Sequence, residues 1–376
     1  MSVRGRRGGC ARSIYSRIMG NGSAAAEGDS KRGITYALLA ALLFGVSTPF
    51  AKILLREAAP VTLAGLLYAG SGVGLAAWVA VRAIARPRGR QGGSWHGGGL
   101  LWLAGAILAG GIVGPVLLMT GLRQIPAASA SLLLNLEAVF TALAAWFVFR
   151  ENFDRRVALG MLAIVLGGVL LAWPARFALG GAVAWIAGAC ACWAIDNNLT
   201  RKVSIGDPVM IAALKGVSAG AVNLGIAAFL GLRWPDGAHI AAAGLLGFAG
   251  YGVSLTLFVL ALRHLGTART GAYFSTAPFI GAVVSLLVFR RLPQPALWLA
   301  ALLMGWGVWL HLTETHAHEH THSRVRHAHS HRHDAHHQHE HDFEWDGREP
   351  HDHEHTHEPL THVHAHFPDI HHRHEH

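Results

Sequence analysis

The 376-residue chain is short of charge: 14% of its residues are Asp, Glu, Lys or Arg, where a soluble domain carries about a quarter. Beside a 52% apolar content, that deficit means much of the surface faces something other than water, which argues against a soluble enzyme. Cysteine is scarce too. Cys10, Cys190 and Cys192 are too few for a disulfide framework, and the last two lie in an apolar run where a thiol acts as a small packing group. Acid is nearly missing from the first 310 residues, which hold 9 Asp and Glu against 26 Lys and Arg, a net +17. The last 66 residues reverse this at −8 and contain 24 of the 27 histidines. The overall +9 therefore joins an apolar basic body to an acidic His-rich tail.

What the body does have is apolar runs of about 20 residues, the length a helix needs to cross roughly 30 Å of hydrocarbon. Ten are predicted, near 34–55, 61–81, 98–121, 127–149, 157–174, 181–199, 208–231, 239–262, 268–289 and 295–312. The fold class expected is thus an all-α membrane protein. Residues 1–32 are basic, rich in Gly, Ser and Ala, and have no apolar core like that of a secretory signal, so they read as a disordered cytoplasmic arm. Placing the N-terminus inside puts eleven Lys and Arg in inner loops against seven outside, the positive-inside bias. An even helix number then places the C-terminus inside as well.

The two halves of the body repeat. At a shift of 140, Gly121-Leu122-Arg123-Gln124 overlies Ala261-Leu262-Arg263-His264, and Val148-Phe149-Arg150 overlies Val288-Phe289-Arg290. At a shift of 149, Phe44 meets Trp193, Val46 meets Ile195 and Lys52 meets Arg201. Each repeat holds five predicted helices, 33–175 and 180–312, ahead of a tail at 313–376. Five is odd, so the second copy enters the membrane from the other side, the inverted-repeat plan of secondary transporters.

Leu43-Phe44-Gly45, Cys192-Trp193-Ala194 and the closing Phe149-Arg150-Glu151 resemble the drug/metabolite transporter superfamily and, within it, EamA-type transporters. Asn135 to Phe140, Ile195 to Lys202 and the ending Pro368-Asp369-Ile370-His371-His372 are similar to a bacterial subgroup with His-rich C-termini. That resemblance implies export of a small solute by alternating access across a bacterial inner membrane. The sequence departs from the family pattern at Arg291, opposite Glu151, and at Glu137, where proline is usual and where the second copy has Pro278.

Ionisable groups within hydrocarbon cost roughly 2.5–3.5 kcal/mol at a helix centre, so each is a functional candidate. Glu137 is the strongest, near the midplane. Burial makes a carboxylate hold its proton, as a proton-coupled carrier requires. On a continuous helix Asn135 would share a face with Ser131 and not with Glu137. Asp196, beside Asn197 and Asn198, and Lys215, roughly 10 Å into its helix by rise, are expected to meet as a cytoplasmic gate. Lys52 is expected to snorkel. Phe44, Trp193, Tyr251, Tyr273 and Phe274 are expected, from the resemblance, to face the solute. The candidate solute or coupling set is Glu137, Asn135, Asp196, Asn197, Lys215, Trp193, Phe44, Tyr273 and Ser275. Gly70-x3-Gly74, Gly110-x3-Gly114 and Gly216-x3-Gly220 signal close helix packing.

From His311 the chain reads His-x-His, with little to bury, and disorder is expected. Imidazoles suit Zn, Ni, Co or Cu. The candidate ligands are His316, His318, His320, His322, His327, His329, His331, His333, His351, His353, His355, His357, His362, His364 and His366. The His318-Glu319-x2-His322 and His353-Glu354-x2-His357 matches to a zinc-protease motif arise by chance in such a tract. No enzyme activity, required cofactor or nucleic-acid partner is expected. The expected partners are a small solute, lipid and transition-metal ions, and a homodimer is compatible with the sequence; a divalent-metal or metal-gated carrier, and a membrane-anchored metal buffer or sensor, stand as alternative expectations.

Overall fold

A computed structural model describes residues 8–85, 98–149, 155–172, 180–203, 207–290, 292–313 and four short strands between 316 and 366. The first repeat runs α1 (Gly8–Leu54), α2 (Pro60–Ala85), α3 (Gly98–Ala106), a π-helical turn π1 (Ile107–Val113), α4 (Gly114–Gln124), α5 (Ala127–Leu133), α6 (Leu136–Phe149) and α7 (Arg155–Ala172). The second runs α8 (Gly180–Val203), α9 (Pro208–Phe229), α10 (Gly237–Gly247), a second π-turn π2 (Phe248–Val253), α11 (Ser254–Phe274), α12 (Ala277–Phe289) and α13 (Pro295–Leu312).

Seven of the described helical stretches are long and apolar enough to cross a membrane, and Ala158–Ala172 and Pro295–Leu310 are shorter apolar helices. The body's outer face is apolar: Val73, Trp78, Leu101, Leu245, Leu287 and Leu302 are all exposed. Such a surface suits hydrocarbon, where a helix satisfies its own backbone.

Two pairs of irregularities repeat with the sequence. π1 and π2 stand at equivalent places, since Ala109-Gly110 aligns with Ala249-Gly250. The helix break after α5, at Leu134-Asn135, lies within one residue of the counterpart of the break after α11, at Ser275-Thr276. Both breaks are closed by three-residue backbone bonds, Asn135 N–H to Leu132 O at 3.1 Å and Thr276 N–H to Tyr273 O at 3.2 Å. α11 also conceals a reversal. The Phe258 and Phe274 rings lie 4.9 Å apart, whereas sixteen residues of straight helix would separate them by about 24 Å. The chain therefore doubles back between them, where the sequence predicts the boundary between its eighth and ninth helices.

Packing rests on small residues where helices cross their own copies. α2 crosses α9 with Gly72 against the backbone of Gly216 and Val217, and Gly220 against Ala69. α7 crosses α13 with Gly167 against Met304 and Ala300, and Gly307 against Gly160 and Ile164. α5 packs on α12, where Gly281 faces Ser131.

Two expectations change. The arm, expected without regular structure, is helical from Gly8, because extending an existing helix adds one hydrogen bond per residue fixed and avoids a new nucleus. The tail, likewise expected disordered, forms β1 (His316–His322) paired antiparallel with β4 (Leu360–His366), and β2 (Val325–His331) paired with β3 (His351–His357). Its alternating His-x-His pattern has the two-residue period of a strand. Lys52 reaches the partly exposed end of α4. Its Nζ donates to the carbonyls of Leu122 at 2.6 Å and Arg123 at 2.9 Å, capping the end of α4, where carbonyls lack partners and the helix dipole favours a cation.

Candidate functional site

α8 brings the candidate residues together. Trp193 and Asn197 are four residues apart and share one face of this helix. Asn197 Nδ2 donates to Glu137 Oε1 at 2.7 Å, joining the two repeats through a half-buried carboxylate. Glu137 does not sit mid-helix as expected. The break at Leu134-Asn135 puts it in the first turn of α6, where the helix dipole favours an anion. The same break undoes the continuous-helix assignment of faces. Asn135 is fully buried, its Nδ2 donating to Leu132 O at 3.0 Å and its Oδ1 without a partner among the described residues.

One step along α8, Asp196 and Lys215 pair. Lys215 Nζ lies 2.6 Å and 2.7 Å from the two carboxylate oxygens, with side chains 3% and 9% exposed, so water screens this pair very little. Thr200, one turn further on, donates to Asp196 Oδ1 at 2.8 Å and accepts from Lys215 at 3.2 Å. Thr200 was not singled out from the sequence, although its i,i+4 spacing from Asp196 was a usable signal. Asp196 packs directly on Gly110 of π1, where any Cβ would meet the carboxylate.

An aromatic cluster ties α1, α2, α8, π2 and α11 together. Phe44 sits at its centre, with ring centroids 5.9 Å from Trp193, 5.8 Å from Tyr251 and 5.5 Å from Phe274. Tyr68, not anticipated, joins through Tyr251 at 5.5 Å. Tyr273 is displaced from this cluster. It packs instead beside Ala37, Ala261 and Leu265, because adjacent residues on a helix point about 100° apart and Phe274 takes the inward direction. Ser275 donates to Gly271 O at 2.8 Å within the second break.

π1 is held from three sides. Gly110 O accepts from Tyr68 Oη at 2.8 Å and Trp193 Nε1 at 3.1 Å, and Asn223 Nδ2 of α9 lies 3.4 Å from the carbonyls of Gly111 and Ile112. Nothing in the sequence reveals π1, so Tyr68 and Asn223 carried no signal beyond being polar in apolar helices.

A scan against protein families matches the description "EamA-like transporter family" twice, over residues 31–173 and 180–313. The chain belongs to the EamA-like transporter family. It is a multi-pass membrane transporter of the drug/metabolite type and not an enzyme, and it works in lipid on a small-molecule solute. An uncharacterized transporter of Methanothermobacter thermautotrophicus is 28% identical over 276 residues, 69% of this chain and 80% of its own. A crystal structure of a protein at 18% identity shares the fold, with TM-score 0.55 over 75% of this chain and 95% of that one. Among the described residues no three His, Cys, Asp or Glu side chains gather as a metal site; the candidate tail histidines lie outside the described side chains.

Proposed function

We propose that this EamA-like transporter is a ten-span secondary carrier of a bacterial inner membrane, exporting a small metabolite or amphipathic compound by alternating access, with both termini cytoplasmic. Proton coupling runs through Glu137. The observation that carries it is the Glu137–Asn197 contact, a carboxylate held across the repeat interface by a neutral amide. An amide can face either the ionised or the protonated form, accepting from the acid or donating to the anion. Asp196 and Lys215 serve as the gate on the cytoplasmic side.

The solute is sought by thermal shift of the purified full-length chain over a panel of metabolites, amines and metal salts. With a stabilising compound in hand, its uptake into proteoliposomes is measured across pH 5 to 9. Glu137→Gln is expected to flatten the pH dependence, and a variant profile identical to wild type would remove proton coupling from this residue.

The tail supports a second, separable function, the binding of Zn, Ni, Co or Cu. In its two strand pairs histidine stands opposite histidine: His316 with His366, His318 with His364 and His320 with His362, then His327 with His355, His329 with His353 and His331 with His351. Neutral imidazoles are ligands for these ions. Whether metal is cargo, regulator or stored ion is decided by truncation after Leu312. Transport that survives truncation makes the tail an accessory. If metal tolerance disappears along with transport, the metal is cargo or gate.

A further inference from the structure

Gly114 N–H bonds Ala109 O, the five-residue spacing of a π-turn. The next bond in that register would run from residue 115 to Gly110 O. Residue 115 is proline and has no N–H, so Gly110 O is orphaned, and this is the carbonyl that Tyr68 and Trp193 satisfy. In an ordinary α register Gly114 N–H would return to Gly110 O. The gap left by Pro115 would then fall on Gly111 O, and Asn223 Nδ2 already stands 3.4 Å from that oxygen. Each register thus has a donor prepared for its orphan. Asn223 is fully buried and its Oδ1 has no partner among the described residues, a cost that packing alone does not explain.

The second repeat is an internal control. Leu255 replaces Pro115 at the shift of 140, so π2 has no gap to fill. Aligned from the helix-opening Pro60 and Pro208, Gly216 stands for Tyr68 and Leu75 for Asn223, while Phe44 stands for Trp193. None of these three carries a side-chain donor. Donors from other helices and the gap occur together at π1, whereas the side-chain donor to π2 is local, Thr256 Oγ1 to Gly252 O at 3.0 Å.

We propose that π1 is a two-position register switch of the transport cycle, in which Pro115 shifts the orphaned carbonyl between Gly110 and Gly111, with Tyr68 and Trp193 positioning one state and Asn223 the other. Because Trp193 shares a helix face with Asn197, which holds Glu137, the state of the coupling carboxylate reaches the switch through α8. The inference deepens the alternating-access reading above, yet its test needs no solute and no proton gradient, so either can fail alone.

The test uses the full-length chain in lipid nanodiscs and the alkylation rate of Cys192 by N-ethylmaleimide, followed by peptide mass spectrometry. Cys192 packs beside Gly114 at the joint of π1 and α4, so its access reports the register. Tyr68→Phe and Asn223→Leu are expected to shift the rate in opposite directions, by about two- to tenfold each, the range carried by one neutral hydrogen bond. A purely structural role would move both the same way, and any pattern other than opposite shifts overturns the switch. Should Asn223→Leu fail to fold, Pro115→Ala decides, since it returns the missing N–H: in that background Tyr68→Phe is expected to leave the rate unchanged, and a rate that still responds overturns the proposal.

Discussion

The two repeats share a backbone plan and divide its chemistry unequally. Asp196 rests on Gly110 of π1, and its counterpart Ser47 rests on Gly250 of π2. Around Asp196 stand Thr200 and Lys215; the corresponding residues around Ser47 are Ala51 and Leu67, both fully buried and apolar. One interface thus holds a buried Asp–Lys ion pair with a threonine, and the other a neutral serine that donates to Phe44 O. An inverted-repeat carrier whose halves were alike would favour neither orientation. Here removing a partner from one side leaves a charge stranded in low dielectric, while the other side has no charge to strand.

The largest effect is therefore expected from Lys215→Met, which leaves Asp196 buried and unpaired at a cost of about 3–5 kcal/mol, read as a fall in the midpoint of thermal unfolding. The triple change Asp196→Ser, Thr200→Ala, Lys215→Leu copies the first repeat's chemistry into the second and should recover most of that loss. If the triple variant is as unstable as the single one, the buried ion pair is not what separates the two sides. Next in size is Gly110→Ala against Gly250→Ala. The new methyl group meets a carboxylate pinned by Lys215 in the first case and a small serine side chain in the second. Overpacking of about 1–3 kcal/mol is expected at Gly110, and less at Gly250; equal losses by the same unfolding assay would erase the contrast. Lys52→Met removes the cap on α4 and should cost about 1 kcal/mol. Smallest is Asn135→Ser, which gives the first helix break the residue of the second and removes a buried unpaired acceptor. Stability should stay within about 1 kcal/mol of wild type, and a larger loss would give Asn135 a partner that its Oδ1 lacks among the described residues.

Much of the scaffold was legible in the sequence because apolar length is a strong signal: the helical stretches, the duplication, the glycine crossings and the Asp196–Lys215 pairing follow from run lengths, shifts and depth. What stayed hidden depends on rotation about the helix axis. In a membrane helix apolar residues occupy every face, so periodicity does not report which face is inward, and Phe274 could not be told from its neighbour Tyr273. The π-turns change phase by a single residue within uniformly apolar segments, leaving no trace in hydropathy. Glu137 was recognised as exceptional, but its place at a helix start depends on the break at Leu134-Asn135, where no glycine or proline marks the turn. The cap that Lys52 forms was not legible because the chain offers no hint that the end of α4, far along the sequence, lies within its reach.

Gene duplication ordinarily frees two copies to drift apart, and this chain shows how geometry can withdraw that freedom at chosen points. Where α2 crosses α9, the wall opposite Gly72 is the backbone of Gly216 and Val217, and the wall opposite Gly216 is the backbone of Gly72. Neither copy can gain a side chain there unless the other retreats. The fused halves act as each other's selective environment at that crossing.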